Sequence, residues 1–181
     1  MSGIKPKIYY WDSCVYLAWI LGEQSHDKAC IDAMARITKE NFELKNIMFT
    51  STLTFTEVTY ARLDAAQIER FQKSFRPESH IPYDVDKAIA DKARVFRERF
   101  FVNPKKLSTP DAIHLATAVI GGADEFHTFD DGQKDKKTIG LLELSGDSRV
   151  DGLVICKPNV PQSSQYALFD PPSTRRYIIE E

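Results

Sequence analysis

Apolar and polar positions alternate between two periods along this chain, and that alternation predicts its elements. Ile8 to Trp11 is a short apolar run ending in an acid, Asp12, which predicts a buried strand. Asp12-Ser13 then opens a helix over Val15 to Leu21, closed by Gly22. A second helix follows from about Asp27 to Phe42, with Ala29, Met34 and Ile37 among its inward candidates, and Ile47 to Thr50 predicts the second strand. Thr54 and Glu57 fit the S/T-x-x-E capping box of a helix whose face carries Val58, Ala61 and Ala65. Asp64 to Phe75 is a further helix ended by Arg76-Pro77, and His80 to Tyr83 a short strand. From Asp84 the spacing of Val85, Ile89, Phe96 and Phe100 predicts a long amphipathic helix, with lysines and arginines on its other side.

The stretch Leu107 to Gly132 organises the rest. Pro110 suits the first position of a helix and Ser108 or Thr109 its cap. Apolar residues from Ala112 to Ile120 run almost all the way round, so this helix is expected to be buried. Gly121-Gly122 stops it, a strand over roughly Glu125 to Phe129 follows, and the chain leaves through Asp130-Asp131-Gly132. A lysine-rich loop (Lys134, Lys136, Lys137), a weak segment at Leu141-Leu142 and a last strand over Leu153 to Cys156 complete the pattern. Strands alternating with helices predict a parallel α/β sandwich. Residues 1–158 form one domain in this reading. Residues 159–181, rich in Pro, Ser and Gln, form an extended tail.

Composition narrows the function classes. A net charge of −2 argues against a uniformly basic nucleic-acid coat, while leaving room for a local basic patch beside an acidic site. Three scattered cysteines (Cys14, Cys30, Cys156) without a CxxC pair predict reduced thiols in a cytoplasmic protein. No apolar run approaches a membrane span.

Four acids carry the candidate chemistry: Asp12, Glu57, Asp111 and Asp130. Each has a plain structural explanation as a cap, a capping-box partner or a turn acid. Each also lies just past a predicted strand or at a helix start, so in a parallel sheet all four fall on the carboxyl edge. Carboxylates crowded there raise one another's pKa unless a cation neutralises them, and hard oxygen donors suit Mg²⁺ or Mn²⁺.

Taken in order, Asp12-Ser13, Glu57 on a helix, Ser108-Thr109-Pro110-Asp111-Ala112 and Thr128-Phe129-Asp130 resemble the PIN domain over about residues 7 to 158. The likeness is to the small toxins of VapBC-type toxin–antitoxin modules. It implies a five-stranded parallel sheet flanked by helices in an α/β/α sandwich, and a Mg²⁺- or Mn²⁺-dependent ribonuclease. In-line attack of water on the RNA phosphodiester would leave a 5′-phosphate and a 3′-hydroxyl. Asp12, Glu57, Asp111 and Asp130 would hold the metal, with Ser13 and Thr128 orienting them. A cognate antitoxin and a homodimer are the implied partners. Cys14 departs from the family, standing where a second small hydroxyl is common. Asp131 lies beside Asp130, and Thr128-x-Asp130 keeps the family spacing.

Other residues attract plainer readings. His26, His80, His114 and His127 show no i, i+4 pairing and no cysteine partners. His114, one turn beyond Asp111, reads as an ordinary helix histidine, with a hydrogen bond to the site conceivable. Trp11, Phe42, Phe96 and Phe129 read as core. Lys105-Lys106 and the later lysines either flank the cleft against RNA phosphates or are solvated loops. The competing function is a PIN-like RNA- or protein-binding module without turnover, against which the presence of all four carboxylates argues. A haloacid dehalogenase-type phosphatase needs a second Asp where Cys14 stands, and a receiver domain needs an acid pair at Trp11-Asp12. Both are disfavoured.

Overall fold

The computed structural model describes residues 5–22, 26–60, 63–102, 104–132 and 137–159. Five parallel strands form one sheet: β1 (Lys7–Trp11), β2 (Asn46–Ser51), β3 (His80–Tyr83), β4 (Glu125–His127) and β5 (Ile155–Cys156), in the order β3-β2-β1-β4-β5. The helices are α1 (Ser13–Leu21), α2 (Lys28–Phe42), the single turn α3 (Thr54–Glu57), α4 (Ala65–Ser74), α5 (Lys87–Arg99) and α6 (Thr109–Ile120). The predicted three-layer α/β/α sandwich is therefore present.

The central strand shows why. Successive side chains of a strand point to opposite faces. Tyr9 and Trp11 join Met48 in a core capped by Val15, Tyr16 and Ile20 of α1, Met34 and Ile37 of α2, and Phe71 of α4. Tyr10 points the other way and joins Phe49, Phe126 and Ile155 under Ile89 and Phe96 of α5 and Leu115 of α6. A strand apolar on both sides fits only between two helical layers. Truncating a residue such as Leu115, which is fully buried, to alanine costs on the order of 2–5 kcal/mol.

Helix ends follow the sequence closely. Asp12, Asp27, Asp64, Asp86 and Ser108 each accept a backbone N–H at the start of α1, α2, α4, α5 and α6. Gly22 takes the left-handed conformation that ends α1, at φ 62°. Gly121, after α6, is there for space: a Cβ would lie 2.4 Å from the Phe49 ring.

Some expectations fail. Thr54 and Glu57 do not form a capping box, since the cap of α3 is Leu53 with no side-chain hydrogen bond. The helix stops after one turn, and Thr54 pairs its hydroxyl with that of Thr50 at 2.6 Å. Ala29 is exposed, because the inward stripe of α2 runs through Cys30, Ala33, Met34 and Ile37. Val85 precedes α5 and is 39% exposed. Phe129 lies past the end of β4, and the Leu141 segment is a 3₁₀ turn over Leu141–Leu144. The tail beyond Asn159, Ala61, Lys134 and Lys136 lie outside the described residues. No helix among those described is long and apolar enough to cross a membrane.

Candidate functional site

In a sheet ordered β3-β2-β1-β4-β5 the connections diverge on either side of β1 and β4, which opens a crevice at the carboxyl ends of those two strands. Asp12 is the first residue after β1, and Thr128 the first after β4.

Asp12 is only 6% exposed. Its carboxylate accepts the Ser13 N–H at 2.8 Å, the Cys14 thiol at 3.1 Å and the Thr128 hydroxyl at 2.8 Å. Cys14 thus donates as a small hydroxyl would. Burial pushes its thiol well above the usual range, as does the charge of Asp12, so it stays protonated and donates. The Thr128 oxygen in turn accepts the Asp130 N–H at 3.1 Å, coupling the two acids through one hydroxyl. The Asp130 carboxylate accepts the Gly132 N–H at 3.0 Å and the Leu141 N–H at 3.1 Å. That second contact needs Gly132 and Gly140 to pass backbone on backbone: a Cβ on Gly140 would lie 2.3 Å from the Gly132 nitrogen. Asp131 is exposed.

Glu57 reaches the same place from α3. Its Oε2 lies 2.8 Å from Nε2 of His114, which α6 presents one turn beyond Asp111. Asp12, Glu57 and His114 each offer an atom within 4.8 Å of the others. His114, taken from the sequence as an ordinary helix histidine, is 1% exposed and belongs to the site. Burial works against ionisation of Glu57, but the His114 contact and the Ser13 hydroxyl outweigh it and hold the carboxyl below its ordinary value. For His114, burial is outweighed by Glu57, Asp12 and Asp111, and its pKa is raised.

Asp111 sits on the first turn of α6. Ser108 accepts its N–H at 3.1 Å and donates its hydroxyl to Oδ2 at 2.5 Å. Burial pushes the Asp111 carboxyl up to about 6, and the charges of Asp12 and Asp130 add to the rise against the Ser108 hydrogen bond. Asp111 thus lies near enough to Asp12 and Asp130 for their charges to act on it. Crowded carboxylates with one held partly protonated are what a bound cation relieves. All four are hard oxygen donors, as Mg²⁺ or Mn²⁺ requires.

A second cluster, Glu125, His127 and Cys156, also brings three ligand atoms within 4.8 Å. No local pattern announces it, because β4 and β5 must pair before His127 meets Cys156. Its hydrogen bonds speak against a metal. The Trp11 indole donates to Nδ1 of His127 at 3.2 Å, so Nε2 carries the proton and donates to Glu125 at 3.0 Å. A cation at Nε2 would leave an imidazolate, since the indole can only donate. Glu125 is also paired with Lys7 at 2.5 Å.

Around the crevice, Lys105 is spent on Glu143 at 2.9 Å. Phe129, expected in the core, packs half-buried against the edge of the Tyr9 and Trp11 core and stacks on the His26 ring at 3.8 Å, while Phe42 is 55% exposed beneath Arg76. Trp11 and Phe96 are core residues.

The PIN domain family model matches residues 9–138 of this chain. The fold is similar to that of VapBC2 from Rickettsia felis, solved bound to a DNA fragment from its promoter. The identity is 11% and the TM-score 0.55, over 83% of this chain and 98% of that one. It is also similar to FitAcB from Neisseria gonorrhoeae, at 14% identity and a TM-score of 0.53, over 83% of this chain and 97% of that one. No curated protein matches the sequence.

Proposed function

The chain belongs to the PIN domain family, and on that premise we propose that it is a divalent-metal-dependent ribonuclease, the toxin half of a toxin–antitoxin pair. The observation that carries the reading is the convergence of Asp12, Glu57 and His114 within 4.8 Å, joined electrostatically by Asp111 and Asp130.

In this reading residues 1–158 are the catalytic domain and residues 159–181 an appended tail. Asp12, Glu57, Asp111 and Asp130 would hold Mg²⁺ or Mn²⁺, and Asp130 rather than Asp131 faces the crevice. The ion, when bound, polarises a phosphate oxygen and lowers the pKa of water. The chain's own part is positioning. Thr128 and Ser13 fix Asp12, and Ser108 fixes Asp111, so each carboxylate meets the ion in one orientation. The substrate would be RNA, held at its phosphates. The partner would be a protein that covers the crevice, and the working form a cytoplasmic homodimer. Support for partner and toxin role comes from the VapBC resemblance of the four motifs.

Cleavage of a mixed RNA pool with Mg²⁺ or Mn²⁺, beside EDTA and Asp12→Asn controls, tests the proposal. Cleavage that needs both the metal and Asp12 supports it. Mn²⁺ binding without cleavage of any RNA supplied would favour the binding module instead.

A further inference from the structure

We infer that His114 is a positioning residue for Glu57, held in the tautomer this requires by Tyr10 and the backbone of β2. The inference rests on the metal-dependent reading of the site.

Glu57 is poorly held by its own element. The turn α3 is four residues long, without a side-chain cap, and a single turn contributes little stability by itself. The Glu57 side chain is 28% exposed, and glutamate loses substantial rotamer freedom when fixed. Something outside α3 must hold it: the Ser13 hydroxyl acts on its carboxylate, and the buried Nε2 of His114 lies 2.8 Å from it.

The histidine is itself fixed from behind. Its Nδ1 lies 2.5 Å from the Tyr10 hydroxyl. The Tyr10 oxygen accepts the Ser51 N–H at 3.1 Å. The Glu57 carboxylate can only accept, so Nε2 must carry a proton, and in the neutral ring Nδ1 is left to accept the Tyr10 hydroxyl, whose oxygen takes the Ser51 N–H. Nδ1 is thereby unprotonated in the neutral ring, and Nε2 carries the proton. That N–H points at Glu57 and stands 3.8 Å from Asp12 Oδ1. The order of the last residue of β2 passes through two buried side chains to a carboxylate on a loosely held turn. Tyr10 stacks on Phe126 at 4.8 Å and meets Phe49 edge-on at 5.1 Å, so the phenol has no room to swing away. Partners that orient metal-binding carboxylates in this way matter for metal affinity nearly as much as the ligands.

Two measurements on the full chain test this. The first is Mn²⁺ affinity by titration calorimetry for wild type, His114→Leu, His114→Gln, Tyr10→Phe and Asp12→Asn. His114→Leu is expected to weaken Mn²⁺ by about 10–100-fold. His114→Gln, which keeps an N–H near the same place, should recover most of that loss. Tyr10→Phe should fall between wild type and the leucine variant. The second is the ¹⁵N spectrum of His114 in wild type, with and without Mg²⁺, where the Nε2–H tautomer should persist in both. Full Mn²⁺ affinity in the leucine and phenylalanine variants, with loss in Asp12→Asn, would overturn the positioning role alone. Loss of the Nε2 proton on adding Mg²⁺ would make His114 a ligand and overturn it too. Should Asp12→Asn also bind Mn²⁺ normally, the metal site itself is wrong. The wild-type spectrum decides the tautomer even if His114→Leu does not fold.

Discussion

Replacing Asp111 by asparagine should stabilise the metal-free protein, and only above a defined pH. The carboxyl of Asp111 is pushed from 3.8 up to about 6 by burial, with Asp12 and Asp130 adding to it. For an acid whose folded pKa is raised, the folded state binds the extra proton. Below about 4 both states are protonated and the group costs nothing. As pH rises toward 6 the unfolded chain ionises first, and the cost grows until it is complete above 6. A rise of about two units corresponds to roughly 3 kcal/mol at 1.36 kcal/mol per unit. Solvent at the partly buried site and a weaker hydrogen bond from Ser108 reduce the gain from asparagine to about 1–2 kcal/mol. In a domain of this size that raises Tm by roughly 2–6 °C. Thermal unfolding in EDTA at pH 7.5 and pH 4 is the assay. The variant should be more stable at pH 7.5 and indistinguishable from wild type at pH 4. With Mn²⁺ added at pH 7.5, wild type should gain stability that the variant does not. Equal or lower stability of the variant at pH 7.5 in EDTA would refute the claim that burial and its acidic neighbours make the ionised Asp111 costly in the metal-free fold.

The same protonation should make Mn²⁺ affinity fall about tenfold per pH unit below about 6, because the cation must displace the Asp111 proton. Calorimetric titration at pH 5 and pH 7 checks this. Thr128→Val removes the donor to Asp12 and the acceptor for the half-buried Asp130 N–H. It should cost about 1–3 kcal/mol in urea unfolding and weaken Mn²⁺ as well. Gly140→Ala forces a Cβ against the Gly132 backbone. It should cost on the order of 1–3 kcal/mol and lower RNA cleavage while leaving the helical circular dichroism unchanged.

Much of this architecture can be read from the chain because its signals are local. Period and punctuation within a few residues identify β1, α1, α2, α5 and α6, and caps such as Asp27, Asp86 and Ser108 lie at the start of their helices. What escaped is decided by contacts across the sheet. Thr54-x-x-Glu57 has the letters of a capping box, yet Glu57 is claimed by His114, 57 residues away, and the box does not form. His127 gives no hint of Cys156 until β4 and β5 lie side by side. Phe42 and Phe129 have core-like identity, but a residue at a helix end or just past a strand has one side to bury. Arg76 covers Phe42, and Phe129 lays one face on the edge of the core while its ring stacks with His26. The acids were legible as a set because a parallel sheet delivers every strand end to one edge. Their mutual orientation was not, since it depends on hydroxyls and a histidine from other segments.

The passage of Gly132 against Gly140 has a consequence for how this protein can change. Lys106 clamps the returning limb, accepting from Ile139 at 3.0 Å and donating to Lys137 at 2.9 Å. This pairing holds Gly140 against Gly132 and so keeps the Gly132 and Leu141 N–H groups on the Asp130 carboxylate. A side chain at either glycine would push the two segments apart and draw both donors off Asp130, so variation is constrained here as tightly as at the acids themselves.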